Sequence, residues 1–318
     1  MHLKPFSRRS FSQLSALALG VVLASGSLAQ EKIMLSTQQV KNGYIENAAM
    51  AQYHRWFQLY ENNAVPMANQ LDLLAQDVRV KSGLGEAVGH AAYEKRLADI
   101  PKTWKNAHRV LDSQITLGDG GRIDLVVSIE YLNQGANPDG SLRAARLKYT
   151  TQLQSSDTVL PKFTALTIEP IAATDTKQFV DTYPENRLKS LAYYWLALVE
   201  DPARRFDPFK EILAADFKLD FSSGVIPDME GFEKWFRGPA SAVAASTHRI
   251  RAFNFSQVAS GAYEVKMDLD WQGILPNGIE LAAKTRHTWL VQDDVKERFA
   301  RIKNVQVQVL QPFAPLVR

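Results

Sequence analysis

The chain has 318 residues, of which 46% are hydrophobic and 22% are charged, a balance that is ordinary for a soluble globular protein. It contains no cysteine, which excludes disulfides, thiolate metal sites and cysteine nucleophiles. The formal net charge is only +3, and the length is compatible with two domains.

Residues 1–29 have the pattern of an export signal. They contain Lys4, Arg8 and Arg9, no acidic residue, and an apolar run too short to span a bilayer. Residues 7–11 read SRRSF and resemble a twin-arginine (Tat) signal, although the residues that follow leave the general secretion route open. Without this segment the basic and acidic residues are equal in number, so the mature chain has no electrostatic reason to bind nucleic acid or membranes. We expect a bacterial protein that is periplasmic or secreted.

The remaining chain repeats itself at a displacement of about 139 residues. WFQLYENNA at 56–64 aligns with WLALVEDPA at 195–203, and LLAQDVRV at 73–80 aligns with ILAADFKL at 212–219. A unit of this length indicates a duplicated domain rather than a solenoid repeat. The predicted segments are a signal peptide (1–29), an N-terminal extension (30–44), a first domain (45–172), a linker (173–185) and a second domain (186–318).

Each copy has the same predicted elements in the same order. An amphipathic helix comes first, with apolar residues at spacings of three and four that include Trp56 in one copy and Trp195 in the other. Two shorter helical stretches follow. Long strands with alternating apolar and polar residues come last, and turn residues at 137–140 and 276–278 separate two of them. Helices first and antiparallel strands afterwards predict an α+β fold.

This order of elements resembles the NTF2-like superfamily and, within it, SnoaL-like domains. The resemblance rests on the helical stripe, the short strand after it, the shared His-Arg strand start at 108–109 and 248–249, and the long hairpin. It implies two tandem cystatin-like cones, each a bent antiparallel sheet wrapped around N-terminal helices and enclosing an apolar pocket for a small hydrophobic ligand. It also implies pairing through the sheet faces, either as an intramolecular pseudo-dimer or as a homodimer, and no cofactor.

Three residues of the second copy predict a catalytic set. Glu200 ends the first helix, His248 opens a strand, and His287 lies on the apolar face of a later strand. The layout is similar to that of the scytalone dehydratase branch, in which an acidic residue and two histidines surround the substrate. By this resemblance the three would act in acid/base catalysis, because imidazole titrates near neutral pH and a carboxylate can orient it. That branch's two substrate-orienting tyrosines have no matched residue here.

The first copy keeps the acid and the first histidine but replaces the second histidine by a tyrosine. Together with three tryptophans, these residues are the predicted ligand-binding set: Glu61, His108, Tyr149, Trp195, Trp271 and Trp289. The sequence has no clustered metal-ligand spacing, phosphate-binding glycine loop or nucleophile elbow, so no metal site is predicted.

Three functions remain open on the sequence alone. The chain could be a cofactor-independent lyase, isomerase or cyclase that acts on a small hydrophobic carbonyl compound. It could be a non-catalytic periplasmic module that binds an apolar ligand, or a structural pseudo-dimer with neither cone in use. Because His108 and His248 recur between duplicated copies, a structural role would explain them as well as catalysis does.

Overall fold

The computed structural model describes residues 35–222 and 224–316, which belong to one compact unit. The predicted signal peptide and the first part of the predicted extension lie outside the described residues. Within the described part of the chain, no helix combines the length and the apolar character that a membrane span requires.

Each half of the described chain has three α-helices and six strands. The first half contains α1 (Thr37–Glu61), α2 (Met67–Leu71), β1 (Leu74–Ser82), β2 (Gly85–Val88), α3 (Gly89–Ala98), β3 (Lys105–Leu117), β4 (Arg122–Gln134), β5 (Arg143–Gln154) and β6 (Lys162–Ala173). The second half contains α4 (Tyr183–Glu200), α5 (Phe209–Ile212), β7 (Leu213–Phe221), β8 (Gly224–Ile226), α6 (Met229–Arg237), β9 (Ala245–Ala259), β10 (Ala262–Ile274), β11 (Glu280–Gln292) and β12 (Arg301–Pro315).

The two sheets have the same topology. Their strand orders are β2-β1-β6-β5-β4-β3 and β8-β7-β12-β11-β10-β9. The predicted α+β architecture and the duplication are confirmed: the chain has two tandem halves, each with N-terminal helices and a six-stranded sheet of the same topology. The expectation of purely antiparallel sheets is wrong for one pair in each, because β1 runs parallel to β6 and β7 runs parallel to β12. These strands are far apart in sequence, and an alternating pattern does not reveal which way such a pair runs.

Helix α1 begins inside the segment that was predicted as an extension. Ser36 caps it: the Ser36 hydroxyl accepts a hydrogen bond from the backbone N–H of Gln39, and the Gln39 side chain accepts one from the N–H of Ser36. This reciprocal capping box satisfies backbone donors that a helix otherwise leaves open, so it fixes the start at Thr37. The first turns of α1 thereby reach the second half, where Thr37 bonds to Glu280 (2.8 Å).

The halves meet mainly through α1 and α4, which pack antiparallel. Twelve consecutive residues of α1, 47–58, are buried, because one side covers the helix's own sheet and the other faces α4. The contact is polar as well as apolar: His54 stacks on Tyr193 with centroids 5.5 Å apart, and Gln58 donates to Ser190 (3.0 Å). The predicted intramolecular joint through the sheet faces is therefore wrong. The joint is formed instead by α1 and α4, through polar contacts such as Gln58–Ser190 and through apolar contacts that include Ala48 and Ala51.

Candidate functional site

Glu200 and His248 form a pair in the second half. Glu200 is the last residue of α4, and His248 lies near the start of β9. Oε1 of Glu200 accepts a hydrogen bond from the backbone N–H of His248 (2.6 Å) and lies 2.8 Å from Nδ1 of the imidazole. The Glu200 side chain is fully buried, whereas 17% of the His248 side chain is exposed. The carboxylate therefore fixes the Nδ1 edge of the imidazole, and no described residue is hydrogen-bonded to Nε2.

Two further groups hold the same carboxylate. Nδ2 of Asn47, on α1 of the first half, donates to Oε2 of Glu200 (2.9 Å). The hydroxyl of Thr247 is also hydrogen-bonded to Glu200. Thr247 fits only because residue 43 on α1 is a glycine, since a Cβ there would collide with Oγ1 and Cβ of Thr247. Both oxygens of the buried Glu200 carboxyl group thus have partners, as a buried polar group requires.

Burial shifts both members of the pair toward their neutral forms. It raises the pKa of Glu200 well above the ordinary value, and the hydrogen bonds from His248, Thr247 and Asn47 lower that pKa only in part. Burial lowers the pKa of His248 to about 4, so the imidazole is uncharged at neutral pH. Because the other donors converge on the Glu200 oxygens, we assign Nδ1–H as the donor to Oε1, which leaves the lone pair on Nε2.

Glu61 and His108 form the corresponding pair in the first half. Oε1 of Glu61 accepts from the backbone N–H of His108 (2.9 Å) and from the hydroxyl of Thr182 (2.7 Å), and lies 3.1 Å from Nδ1 of His108. Nδ2 of Asn186, on α4 of the second half, donates to both Glu61 oxygens (3.0 and 3.1 Å). The His108 ring stacks on Phe57 with centroids 4.7 Å apart. Only 5% of the His108 side chain is exposed, so its imidazole is more enclosed than that of His248.

His287 lies close enough to His248 to interact with it electrostatically. Burial lowers the pKa of His287 to about 3, and a charge on His248 contributes to this shift. Nδ1 of His287 is buried without a hydrogen-bond partner among the described residues, as are Oγ1 of Thr285 and Nε1 of Trp289. The three residues alternate along β11, so they face the same side of the sheet. The structure therefore joins Glu200 to His248 by hydrogen bonds, whereas among the described residues His287 is hydrogen-bonded to neither of them and has two further unpartnered polar groups on its own strand.

Tyr149 occupies the place of His287 in the first half. It is buried on β5, with its ring 6.0 Å from that of Tyr53 and 5.8 Å from that of Phe57. Burial raises the pKa of Tyr149 well above its ordinary value, so the phenol stays protonated and can donate a hydrogen bond.

The three predicted tryptophans have different surroundings. Trp195 and Trp289 pack against each other (5.9 Å between centroids) and belong to the buried hydrophobic cluster of the second half. Trp195 also stacks on Phe232 (5.7 Å). Trp271 is separate from this cluster: it pairs across the strands with His248 and packs edge-on against Phe313 (4.8 Å). Of the three, Trp271 is thus the one whose strand position is directly beside the acid–histidine pair.

Two sizeable cavities lie elsewhere. One of about 460 Å³ lies between the halves and has a charged lining that includes Asp72, Lys162, Glu211 and Arg298. A second, of about 450 Å³, lies in the first half against Trp104. Neither is lined by Glu200, His248 or His287. Among the described residues, no group of three or more His, Asp or Glu side chains is arranged to hold a metal ion.

The sequence interpretation missed Asn47 and Asn186. The signal was available, because the displacement of 139 residues that aligns Glu61 with Glu200 also aligns these two asparagines. Asparagine in the interior of a helix has neither the charge nor the titration that marks a catalytic residue, so it attracts attention only once its partner is known.

No protein-family profile matches the chain, and no curated protein matches it. Among solved structures, the hexachlorocyclohexane dehydrochlorinase LinA-type3 from Novosphingobium barchaimii LL02 is 13% identical, with 42% of this chain and 90% of that chain covered and a TM-score of 0.37. An NTF2-like superfamily protein from Salmonella enterica serovar Typhimurium LT2 is 12% identical over 41% of this chain and 93% of that one, with a TM-score of 0.36. A protein with a cystatin-like fold from Caulobacter vibrioides is 14% identical over 40% and 90%, with a TM-score of 0.34. Each of these similarities spans about the length of one half of the chain.

Proposed function

We propose that the second half binds a small, mainly apolar carbonyl compound and moves a proton at Nε2 of His248, as a cofactor-independent lyase, isomerase or cyclase. The observation that carries this proposal is the 2.8 Å contact between Oε1 of Glu200 and Nδ1 of a partly exposed, uncharged imidazole. A carboxylate in that position orients the ring and stabilises the imidazolium that forms when Nε2 takes up a proton.

The proposed step is a proton transfer. Nε2 of His248 takes a proton from the carbon next to the carbonyl, and the electron pair of the broken C–H bond forms an enolate. The imidazolium then returns the proton to another atom of the same molecule, so the step is balanced without a redox change. The unpartnered Nδ1 of His287 and Nε1 of Trp289 are available to hydrogen-bond the polar end of the ligand. The buried aromatic side chains of the second half would supply the apolar contact.

A non-catalytic role is the second candidate, and specific observations favour it. Trp195 and Trp289 lie in a buried hydrophobic cluster, and the oxygens of Glu200 are all engaged by protein donors that include Asn47 of the other half. In this alternative the acid–histidine pairs join the two halves, and the chain is a ligand-binding module or a structural pseudo-dimer.

His248→Gln separates the two candidates. Wild type and variant are assayed against hydrophobic carbonyl compounds capable of dehydration, isomerisation or cyclisation, and products are followed by absorbance and mass spectrometry. We expect the variant to lose about 100-fold or more in kcat, with little change in KM, because a general base is removed. His90→Gln, on α3 of the first half, is the matched control and keeps the wild-type rate. If His248→Gln turns over as fast as wild type, the catalytic proposal is wrong. Ligand binding by a wild type that has no turnover supports the binding module.

We also propose that the chain is exported to the periplasm through its N-terminal segment. The support is the basic, acid-free start followed by a short apolar run, together with the paired Arg8 and Arg9. In a bacterial host we expect the double substitution Arg8→Lys and Arg9→Lys to retain the protein in the cytoplasm. Fractionation and immunoblotting report this directly. Unchanged export of the double variant, with loss of export when the apolar run is interrupted by a charge, would indicate the general secretion route instead.

A further inference from the structure

The duplication relates three residues at each acid–histidine pair: the acid, the histidine and an asparagine. A displacement of 139 aligns Glu61 with Glu200 and Asn47 with Asn186, and a displacement of 140 aligns His108 with His248. An amide donor is therefore a member of the arrangement in both copies.

In both arrangements the amide comes from the opposite half. Asn47, on α1, donates to Oε2 of Glu200 (2.9 Å), and Asn186, on α4, donates to both oxygens of Glu61 (3.0 and 3.1 Å). Both asparagines are buried, with 6% and 2% of their surface exposed. Water is therefore poorly placed to replace the donor when the amide is removed. Each of the two helices carries the acid of its own half and the amide that holds the acid of the other.

The hydroxyl groups at the two carboxylates are complementary in position. In the first half the hydroxyl is supplied by Thr182, which precedes α4, and the adjacent strand carries the small residue Ala107. In the second half the strand carries Thr247, and the position equivalent to Thr182 is Gly43 on α1. A side chain at residue 43 would occupy the space of Thr247. At each carboxylate, one of the two positions is a threonine, the other is a small residue, and the two come from opposite halves. The two sites are therefore complementary only when both halves are present.

We propose that Asn47 and Asn186 are positioning residues for the acid–histidine pair of the opposite half, so that each pair is complete only in the tandem chain. The proposal rests on the function proposed for His248, whose imidazole Glu200 orients. Asn47 acts through the carboxylate: its bond to Oε2 fixes the rotation of the Glu200 carboxyl group, so that Oε1 faces Nδ1 and the N–H of His248. Without the amide, a buried oxygen loses its donor, and the carboxyl group turns away or takes up a proton.

Matched variants of the full chain test this crossing of contacts. Asn47→Asp and Asn186→Asp keep the shape of the side chain and remove the NH₂ donor, and the second variant also keeps the Oδ1 that contacts His54. Amide hydrogen exchange of His248 and His108 is measured by NMR in both. We expect Asn47→Asp to accelerate exchange at His248 about ten-fold or more without changing His108, and Asn186→Asp to do the reverse. If an aspartate variant does not fold, the same exchange measurement is made on Asn47→Ala and Asn186→Ala, which add no charge.

A titration distinguishes positioning from simple packing. The bond from Asn47 lowers the pKa of Glu200, so Asn47→Ala moves the carboxyl titration of Glu200, followed by ¹³C NMR, to higher pH. If amide exchange at His248 is unchanged in Asn47→Asp, or changes together with amide exchange at His108, the proposal is overturned. So does an unshifted Glu200 titration.

These readouts need no substrate, so they fail separately from the proposed function. If His248→Gln abolishes turnover while Asn47→Ala leaves exchange, titration and kcat unchanged, the positioning role is wrong and the catalytic role stands. If the crossed pattern is found together with a kcat at least ten-fold lower in Asn47→Ala and an unchanged KM, positioning is supported. If the crossed pattern is found but His248→Gln keeps the wild-type rate, the catalytic role is wrong and so is positioning for catalysis.

Discussion

We expect Arg187→Ala to lower the free energy of unfolding by about 3–5 kcal/mol, because it breaks a buried ion pair by removing one partner. Arg187 lies on α4 and is only 1% exposed. Its Nε donates to Asp293 (2.8 Å), and one Nη1 bond reaches Gln58 of α1 (3.1 Å). Its other donors satisfy three backbone carbonyls, those of Asp294, Glu297 and Arg298. The alanine variant leaves the Asp293 carboxylate and these carbonyls without the guanidinium, and it loosens the loop between β11 and β12 from both helices.

Arg286→Ala is the matched control for this measurement. Arg286 makes two short contacts with Asp268 (2.6 and 2.8 Å), but 47% of its side chain is exposed. An exposed pair of this kind contributes about 0–1 kcal/mol, because solvent screens it and ordering the side chains costs entropy. Urea unfolding followed by circular dichroism compares the two variants. Equal losses in both would show that the buried guanidinium is not the group that holds the loop.

The element order and the duplication were predictable because they depend on local patterns. The Trp56 and Trp195 stripes have helical spacing, and the alternation in β4 and β10 has a period of two, so each is visible within a short window of sequence. The parallel pairs β1–β6 and β7–β12 were not predictable in this way, because they join strands separated by most of a domain. The early start of α1 was available in the sequence as Ser36-Thr37-Gln38-Gln39, a capping pattern that the boundary at residue 45 overlooked.

The pairing of Glu200 with His248 follows from chain geometry, because a helix end and a strand start meet at the same edge of the cone. The residues that complete the pair come from the other half, and a reading that treats each copy alone cannot place Asn47 against Glu200. The sequence also did not predict how the inward-facing side chains pack against one another. Hydrophobic periodicity shows that Trp195 and Trp289 face inward, but not that they contact each other across the interior.

We expect acidification to destabilise the protein steeply, because the buried His54 and His287 and the mostly buried His248 are uncharged in the folded state. Burial lowers the pKa of His54 to about 3, that of His248 to about 4 and that of His287 to about 3. In the unfolded chain each titrates near 6.5, so below that pH the unfolded state binds protons that the folded state does not. The stability from these groups is complete above about pH 7 and is lost as the pH falls from 6.5 toward the folded pKa values. At pH 5 the loss is roughly 2 kcal/mol for each histidine, or about 6 kcal/mol for the three.

Glu200 opposes this trend. Its folded pKa is raised, so above the ordinary carboxyl pKa the unfolded state gives up a proton more readily than the folded state. Acidification therefore removes a destabilising contribution from one group while it adds one from each of three histidines. Urea unfolding between pH 8 and pH 5 measures the net slope.

His54→Gln isolates one component of this slope. The amide can still donate to Oδ1 of Asn186, but the group no longer titrates, so about a third of the histidine-dependent loss should disappear. If His54→Gln leaves the slope between pH 8 and pH 5 as it is in wild type, the folded state admits a proton to His54 and the expected histidine-dependent loss is wrong.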